Sequence, residues 1–161
     1  MILYLNWGKG MDMTANDAAR FMVNLCIDDN HPISNLQLQK ILYFCQLESH
    51  RRSGAPLFCD DFEAWRYGPV IPSVYRLFST FGGLAISRKV KEPGHLSSEE
   101  KSLIQSVTRH LRRLRPWELV AETHSDGSPW DITYRDGSGA GDVIPKKLIR
   151  ASAFSPSAMF S

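Results

Sequence analysis

The side chains with the widest range of possible chemistry are the histidines and cysteines. The histidines are scattered along the chain, at His31, His50, His95, His110 and His124. They form no HExxH pair and no Cys/His cluster of the kind that holds zinc. His124 has carboxylates after it in sequence, at Asp126 and Asp131, and this is the local grouping of histidine and carboxylate considered as a site. A structural or loop-capping role is favoured for this group. A metal-dependent hydrolase built on His124 and Asp131 is the alternative.

Motifs of nucleophilic and phosphate chemistry are absent from the sequence. It contains no GxSxG elbow, no GxGxxG and no GxxxxGK loop. None of Cys26, Cys45 and Cys59 belongs to a CxxC pair or has a neighbouring base, and their odd number argues against a disulfide framework. The sequence therefore predicts a protein that acts by binding, with no catalytic residue, metal or cofactor.

The densest basic group is Arg109, Arg112 and Arg113, whose i, i+3, i+4 spacing places them on one face of a helix. Such a face could contact phosphates or an acidic partner, and an ordinary solvated helix face explains it equally well. The net charge is only +2, so no strong field directs the chain to nucleic acid or membrane. Nucleic-acid binding through these arginines is therefore kept as an alternative.

Aromatic residues, prolines and a glycine are concentrated between residues 62 and 75. Gly68 permits a positive φ or a close backbone approach, and the prolines stiffen the turn around it. The corner could be core, or it could present Trp65, Arg66 and Tyr67 to a partner, since Trp, Tyr and Arg dominate interface hot spots. A structural alternative for Arg66 is an internal ion pair with Asp60, Asp61 or Glu63.

The elements that would position these residues are mostly helices. Three capping boxes predict helix starts, at Thr14 with Asp17, Ser34 with Gln37, and Ser97 with Glu100. The second helix has the strongest pattern, because Leu38, Ile41, Leu42 and Cys45 share one face and predict a core position.

The predicted fold is mainly α, a single compact domain of about six helices with a short β element. Strand-like segments lie near residues 57–65 and 84–90, Pro72 and Pro145 are placed to open helices, and residues 125–141 are expected to be largely loop. Val74, Tyr75 and Phe78 are expected to face inward.

Three ordered sequence blocks resemble a known family. Residues 38–46 (LQKILYFCQ) are similar to the LQKLLYxxQ signature of the Panacea domain, also called the SocA-like antitoxin or GepA family of phage-associated proteins. Residues 65–75 (WRYGPVIPSVY) match its W-[KR]-Y-G-P-V-x-P-x-V-Y block, and Thr123-His124 with Pro129-Trp130 resembles its TH…PW element. The resemblance implies a bacterial or prophage antitoxin that neutralises a separately encoded toxin by direct contact.

The resemblance also sets the expected limits of the domain and its partners. Residues 13–154 would form the domain, 1–12 an N-terminal extension and 155–161 a disordered tail. The expected partner is a cognate toxin encoded by an adjacent gene, and a related possibility is an adaptor that delivers the toxin to a cellular protease. Trp65, Arg66 and Tyr67 are the expected binding surface, with His124 and Trp130 as a second element. We expect a cytoplasmic location and no membrane partner, because no long apolar segment is present.

Overall fold

The computed structural model describes residues 13–155, which form seven α-helices, two short 3-10 helices and one β-hairpin. The α-helices are α1 (Ala15–Asp28), α2 (Asn35–Ser53), α3 (Pro72–Leu77), α4 (Ser98–Leu111), α5 (Pro116–Thr123), α6 (Pro129–Tyr134) and α7 (Lys146–Ser152). Strands β1 (Glu63–Trp65) and β2 (Gly68–Val70) lie between α2 and α3, and the 3-10 helices cover Ser79–Phe81 and Arg135–Gly137. The prediction of a mainly α, single-domain fold is confirmed.

The three longest helices begin where the sequence predicted. The side chains of the cap residues Thr14, Ser34 and Ser97 each accept a hydrogen bond from the backbone N–H three residues later. The side chain of that later residue accepts a hydrogen bond from the backbone N–H of the cap residue. These paired bonds satisfy N–H groups that have no partner inside the helix. The second helix ends at Gly54, whose φ of 74° continues the chain in the left-handed conformation.

Helix α2 lies at the centre of the fold. It packs against every other α-helix except α6, and against strand β2. Leu38, Ile41, Leu42 and Cys45 are completely buried, as the sequence predicted for a central helix. The helix is buried around most of its circumference, so polar side chains such as Lys40 and Gln46 lie inside the protein as well.

Two glutamines of α2 connect it to the segment that carries the hairpin. The Gln39 side chain accepts a hydrogen bond from the Ile71 backbone N–H at 2.9 Å. The Gln46 side chain accepts from the Leu57 N–H at 2.9 Å and donates to the Phe58 carbonyl oxygen at 2.8 Å. These bonds satisfy buried backbone groups that lie outside regular structure. They hold residues 57–71 against α2.

The hairpin pairs Glu63 with Val70 and Trp65 with Gly68 in antiparallel register. The outer edge of β1 is covered by the segment before α7, because the Ala64 N–H donates to the Asp142 carbonyl oxygen at 2.8 Å. The predicted β element near residues 57–65 is therefore present, but only its last three residues form a strand.

Three local expectations were wrong. Residues 84–90 form no strand, and Ala85 contributes only an isolated bridge to Ser34. Residues 125–141 contain helix α6 and a 3-10 turn, because Ser128 caps a helix that opens at Pro129. Tyr75 was expected to face inward but is 40% exposed. Val74 is the buried residue of this six-residue helix.

The predicted extension, residues 1–12, lies outside the described residues, as do residues 156–161 of the predicted tail. Their limits remain sequence-based proposals.

Candidate partner-binding surface and the cluster beneath it

Lys40 is the most unusual side chain of the central helix. It is completely buried, and its Nζ donates a hydrogen bond to the Pro69 carbonyl oxygen at 2.8 Å. Among the described residues no carboxylate pairs with it. Removal from water penalises the ammonium form, so burial lowers the pKa of Lys40 to about 7. Helix α2 and the hairpin thus meet at an amine that is partly neutral at physiological pH.

Gly68 allows this close approach. Its φ is +109°, a conformation that L side chains rarely adopt, and a Cβ there would lie 2.7 Å from both Lys40 Cε and Thr123 Oγ1. Thr123 is itself buried and donates its hydroxyl to the Val120 carbonyl oxygen at 2.8 Å. The missing side chain at Gly68 therefore lets the hairpin fit between α2 and the end of α5.

His124 and Trp130 form the next layer of contacts. Their rings stack with centroids 3.6 Å apart and planes 3° from parallel. The Trp130 indole N–H donates to the Trp65 carbonyl oxygen at 2.7 Å, which joins α6 to β1. Burial, and then the nearby positive charge of Lys40, lower the pKa of His124. Its imidazole is therefore held in the neutral form, which suits flat stacking on an indole.

The three sequence blocks thus meet in one buried cluster, here called the signature cluster. It consists of Lys40, Gly68, Thr123, His124 and Trp130. Trp130 is only 7% exposed and the His124 ring stacked on it is half-buried, so neither offers much area to a partner. Within this cluster the geometry shows packing and hydrogen bonding between elements.

A surface of aromatic side chains lies outside the signature cluster, around the tip of the hairpin. We call it the aromatic corner and define it as Trp65, Arg66, Tyr67, Tyr75 and Trp117. Trp65 and Tyr75 meet edge to face at 5.0 Å, and Tyr67 and Trp117 do so at 5.8 Å. Trp117 is 64% exposed and Tyr67 is 46% exposed. Large exposed aromatics grouped in this way are typical of a contact surface.

Arg66 lies at the hairpin tip, exposed to solvent and beside the Tyr67 ring, with Cζ 5.4 Å from the ring centroid. The internal ion pair considered from sequence is not formed. Asp61 pairs with Lys146, Asp60 accepts the Ala15 N–H, and Glu63 accepts the Trp65 indole N–H. Within residues 13–155 Arg66 forms no ion pair. Its donors are therefore available to a partner.

The basic residues of α4 are differently occupied. Arg109 and Arg112 both pair with Asp29, at 2.9 and 2.8 Å. These contacts lower the pKa of the Asp29 carboxyl, chiefly through its hydrogen bond to Arg109. Arg113 lies in the turn after α4 and donates to the His110 carbonyl oxygen in the last turn of that helix. The three arginines share a region of the surface, but two of them bind the end of α1.

The His124 and Asp131 pair considered as a metal site also has internal contacts. Asp131 accepts the Gly127 N–H at 2.9 Å, and His124 is stacked on Trp130. In the part of the chain that the structure describes, no three His, Cys, Asp or Glu side chains are grouped so that they could hold a metal ion. None of the described helices is long and apolar enough to cross a membrane.

Sequence reasoning did not single out Lys40, Trp117 or Tyr75 for this site. Leu38, Ile41 and Leu42 define one apolar face of its helix, and Lys40 lies off that face, so the local pattern did not show that Lys40 is buried as well. Nothing in the local sequence pattern of Trp117 showed that its ring meets Tyr67. These contacts depend on tertiary packing.

The part of the chain that contains the signature cluster matches a known protein family. The family model described as "Antitoxin SocA-like, Panacea domain" matches residues 38–131, which contain all five residues of the signature cluster. The chain is 36% identical over 129 residues to Antitoxin SocA of Caulobacter vibrioides (strain NA1000 / CB15N), covering 71% of this chain and 69% of that protein. No solved structure matches the chain. The chain therefore belongs to the SocA-like antitoxin family, whose members carry the Panacea domain.

Proposed function

We propose that this protein is an antitoxin that neutralises a cognate toxin by binding it directly through the aromatic corner, and that it acts without catalysis. Membership of the SocA-like family supports the antitoxin role. The observation that carries the choice of surface is the exposed Tyr67–Trp117 pair beside an arginine with no internal ion pair. The expected partner is a toxin encoded by a neighbouring gene.

The composition of the corner suits a protein interface. Trp, Tyr and Arg contribute most of the binding energy in many interfaces, especially where their flat groups are removed from water. The Tyr67 and Trp117 rings already contact each other, so their positions are fixed before a partner arrives. Docking then costs little side-chain entropy.

The signature cluster supports the corner from below. Lys40 and Trp130 bind the backbone of the hairpin at Pro69 and Trp65, on both sides of Arg66 and Tyr67. A hairpin this short would be unstable alone, and these bonds hold its tip in one geometry. The cluster therefore positions the binding residues, and the corner makes the contact.

Arg66 indicates which group the toxin presents. A guanidinium offers a rigid fork of donors that fits a carboxylate with two parallel hydrogen bonds. Exposed Arg76 on α3 adds a second positive charge near Tyr75. We therefore expect an Asp or Glu of the toxin at Arg66, surrounded by apolar atoms that cover Tyr67 and Trp117.

The test is Arg66→Ala in cells that express the toxin from a titratable promoter. We expect the variant to lose rescue of growth while the purified protein melts within about 1 °C of the parent, since Arg66 has no internal ion pair whose loss would destabilise the fold. Arg88→Ala is the matched control, because Arg88 is another exposed arginine without an ion pair among the described residues.

Trp117→Ala provides an independent check of the same surface. Loss of rescue by both Arg66→Ala and Trp117→Ala, with full rescue by Arg88→Ala, supports the aromatic corner. Full rescue by a normally stable Arg66→Ala protein would remove this residue from the interface.

A further inference from the structure

A groove of about 520 Å³ lies beyond the aromatic corner, between α2, the end of α5, α6 and α7. Phe44 and Leu47 line it from α2, Ile132 from α6 and Leu148 from α7. Ile132 is 50% exposed. An open groove with these side chains can accept apolar groups from outside.

The charged groups of the groove are all acidic. Glu122 and Asp126 line it, and within the described chain neither forms an ion pair. No described Lys, Arg or His lines it. The carbonyl oxygens at the end of α5 add negative character at the same place.

The nearby basic residues do not neutralise this groove. Lys147 and Arg150 of α7 line a different hollow, beside His50 and Phe62. Helix α7 thus directs Leu148 and small residues towards the acidic groove. It directs the Lys147 and Arg150 side chains to the opposite side. A ligand complementary to the groove would carry positive charge next to an apolar group.

The groove and the aromatic corner lie at opposite ends of α5. Trp117 is at the start of that helix and Glu122 is close to its end, an axial separation of about 8 Å at 1.5 Å per residue. A protein interface of ordinary size covers roughly 800 Å² of each partner and is far wider than this. Trp117 and Glu122 lie about 140° apart around the axis at 3.6 residues per turn, on the two sides of the exposed face of the helix, since Leu119, Val120 and Thr123 form the buried side. A partner that covers this exposed face can contact both places at once.

We propose that the groove receives a segment of the protein bound at the aromatic corner, in which Lys or Arg stands beside an apolar side chain. The apolar side chain packs on Leu47 and Ile132, and the cation pairs with Glu122 or Asp126. This inference rests on the proposed function. It adds that the toxin presents opposite charges to the two ends of α5, with a carboxylate at Arg66 and a cation at the groove.

The first test uses a defined probe and does not require the toxin. An eight-residue peptide of alternating leucine and arginine is titrated into the full chain with labelled Ile and Leu methyl groups, followed by NMR. We expect saturable shifts at Leu47, Ile132 and Leu148. A peptide of alternating leucine and glutamate should give none. No saturable shift up to about millimolar peptide, or equal binding of the acidic peptide, would overturn the proposal.

Charge-neutral variants show whether the acidic residues are responsible. Glu122→Gln combined with Asp126→Asn should weaken the arginine peptide roughly tenfold, the combined effect of losing two exposed ion pairs. Glu99→Gln combined with Asp136→Asn is the matched control. It removes the same charge from exposed sites that have no ion pair among the described residues. An equal loss in both double variants would show general electrostatics only and contradict the proposal.

The toxin assay separates this inference from the proposed function. Cells that carry Glu122→Gln combined with Asp126→Asn should stop growing at a lower level of toxin expression than cells that carry the parent protein. If it rescues as fully as the parent while Arg66→Ala fails, the groove lies outside the interface and only this inference falls. If Arg66→Ala and the groove variant both rescue fully, both proposals fall.

The chain's own C-terminal segment is the competing occupant, because Ser155 lines the groove and residues 156–161 follow it. A variant that ends at Ser155 provides the comparison. If the arginine peptide binds only the shortened chain, the groove of the full chain is taken by its own tail and the proposal is wrong. Equal binding by both chains supports an external partner.

Discussion

Lys40 is a base that the fold keeps away from water. Its amine has one hydrogen-bond acceptor, the Pro69 carbonyl oxygen, and lies next to Thr123 and the hairpin backbone. With a pKa of about 7 the folded protein holds this proton far less tightly than the unfolded chain, where a lysine has a pKa near 10.5. The stability of the fold must therefore depend on pH above neutrality.

We expect the free energy of unfolding of the parent to rise by about 2 kcal/mol between pH 7 and 9, relative to Lys40→Met. In this window the unfolded chain binds a proton that the folded chain has lost, so higher pH favours folding. Below pH 7 both states are protonated, and the contribution stays at its lowest value. Chemical denaturation of both proteins across this range measures the difference.

The comparison with Lys40→Met removes other groups that titrate at high pH. Burial raises the pKa of both Tyr43 and Cys45, but these residues are present in both proteins. Lys101→Met, at an exposed lysine of α4, is the surface control for the same substitution. A flat difference between the parent and Lys40→Met would show that Lys40 stays charged in the fold.

The hairpin is the element whose geometry depends most on one residue. The backbone at Gly68 has a positive φ that an L side chain rarely adopts, and a Cβ there would also meet Lys40 and Thr123. We expect Gly68→Ala to lower the free energy of unfolding by at least about 2 kcal/mol, from backbone strain and crowding together. The loss should be measured in urea, and rescue of toxin-treated cells should fall with it.

Gly54→Ala distinguishes the effect of backbone strain from the effect of crowding. Gly54 also has a positive φ, of 74°, but a Cβ there meets nothing within 4 Å. This variant has the backbone strain without the crowding, so it should be less destabilised than Gly68→Ala. Equal losses would mean that the contact with Lys40 and Thr123 adds nothing.

Elements with local signals were predictable, and elements defined by contacts between distant segments were not. Capping boxes located α1, α2 and α4 because their partners lie three residues apart. The hairpin was expected only roughly, since it is held by hydrogen bonds from Lys40 and Trp130, which are far from it in sequence. Helix α6 was missed because a Gly- and Ser-rich composition suggested loop, although Ser128-Pro129 is a good helix start.

The distribution of charge over the whole molecule bears on the nucleic-acid alternative. Arg109 and Arg112 pair with Asp29, so a bound phosphate would have to compete with that carboxylate. We expect Arg109→Ala to leave both the affinity for a 20-base-pair duplex and its salt dependence unchanged between 50 and 200 mM salt. Fluorescence anisotropy measures both quantities.

Arg113→Ala is the matched control for this experiment, because Arg113 forms no ion pair in the described part of the chain. Each phosphate contact contributes about 0.9 to the slope of log affinity against log salt. A slope that becomes shallower by about one in Arg109→Ala would support the nucleic-acid alternative.

The candidate site was partly predictable at this scale. Trp65, Arg66 and Tyr67 were chosen from sequence, and the structure places Arg66 and Tyr67 at an exposed hairpin tip. His124 and Trp130 were chosen with them, and the structure places them beneath the tip as support. A sequence pattern does not distinguish the exposed residues of the hairpin tip from the residues that support it. Only packing separates the buried side chains that hold the fold from the exposed side chains through which we propose that a partner binds.

The inward orientation of the signature cluster has a consequence for protein engineering. The groups that hold the hairpin are buried or lie on its backbone, whereas the side chains of Arg66, Tyr67 and Trp117 point to solvent and support few other contacts. The exposed positions can therefore be randomised while the scaffold stays constant, as in a display library with a fixed frame and a variable tip. Selection on such a library could give binders for new targets from the same domain.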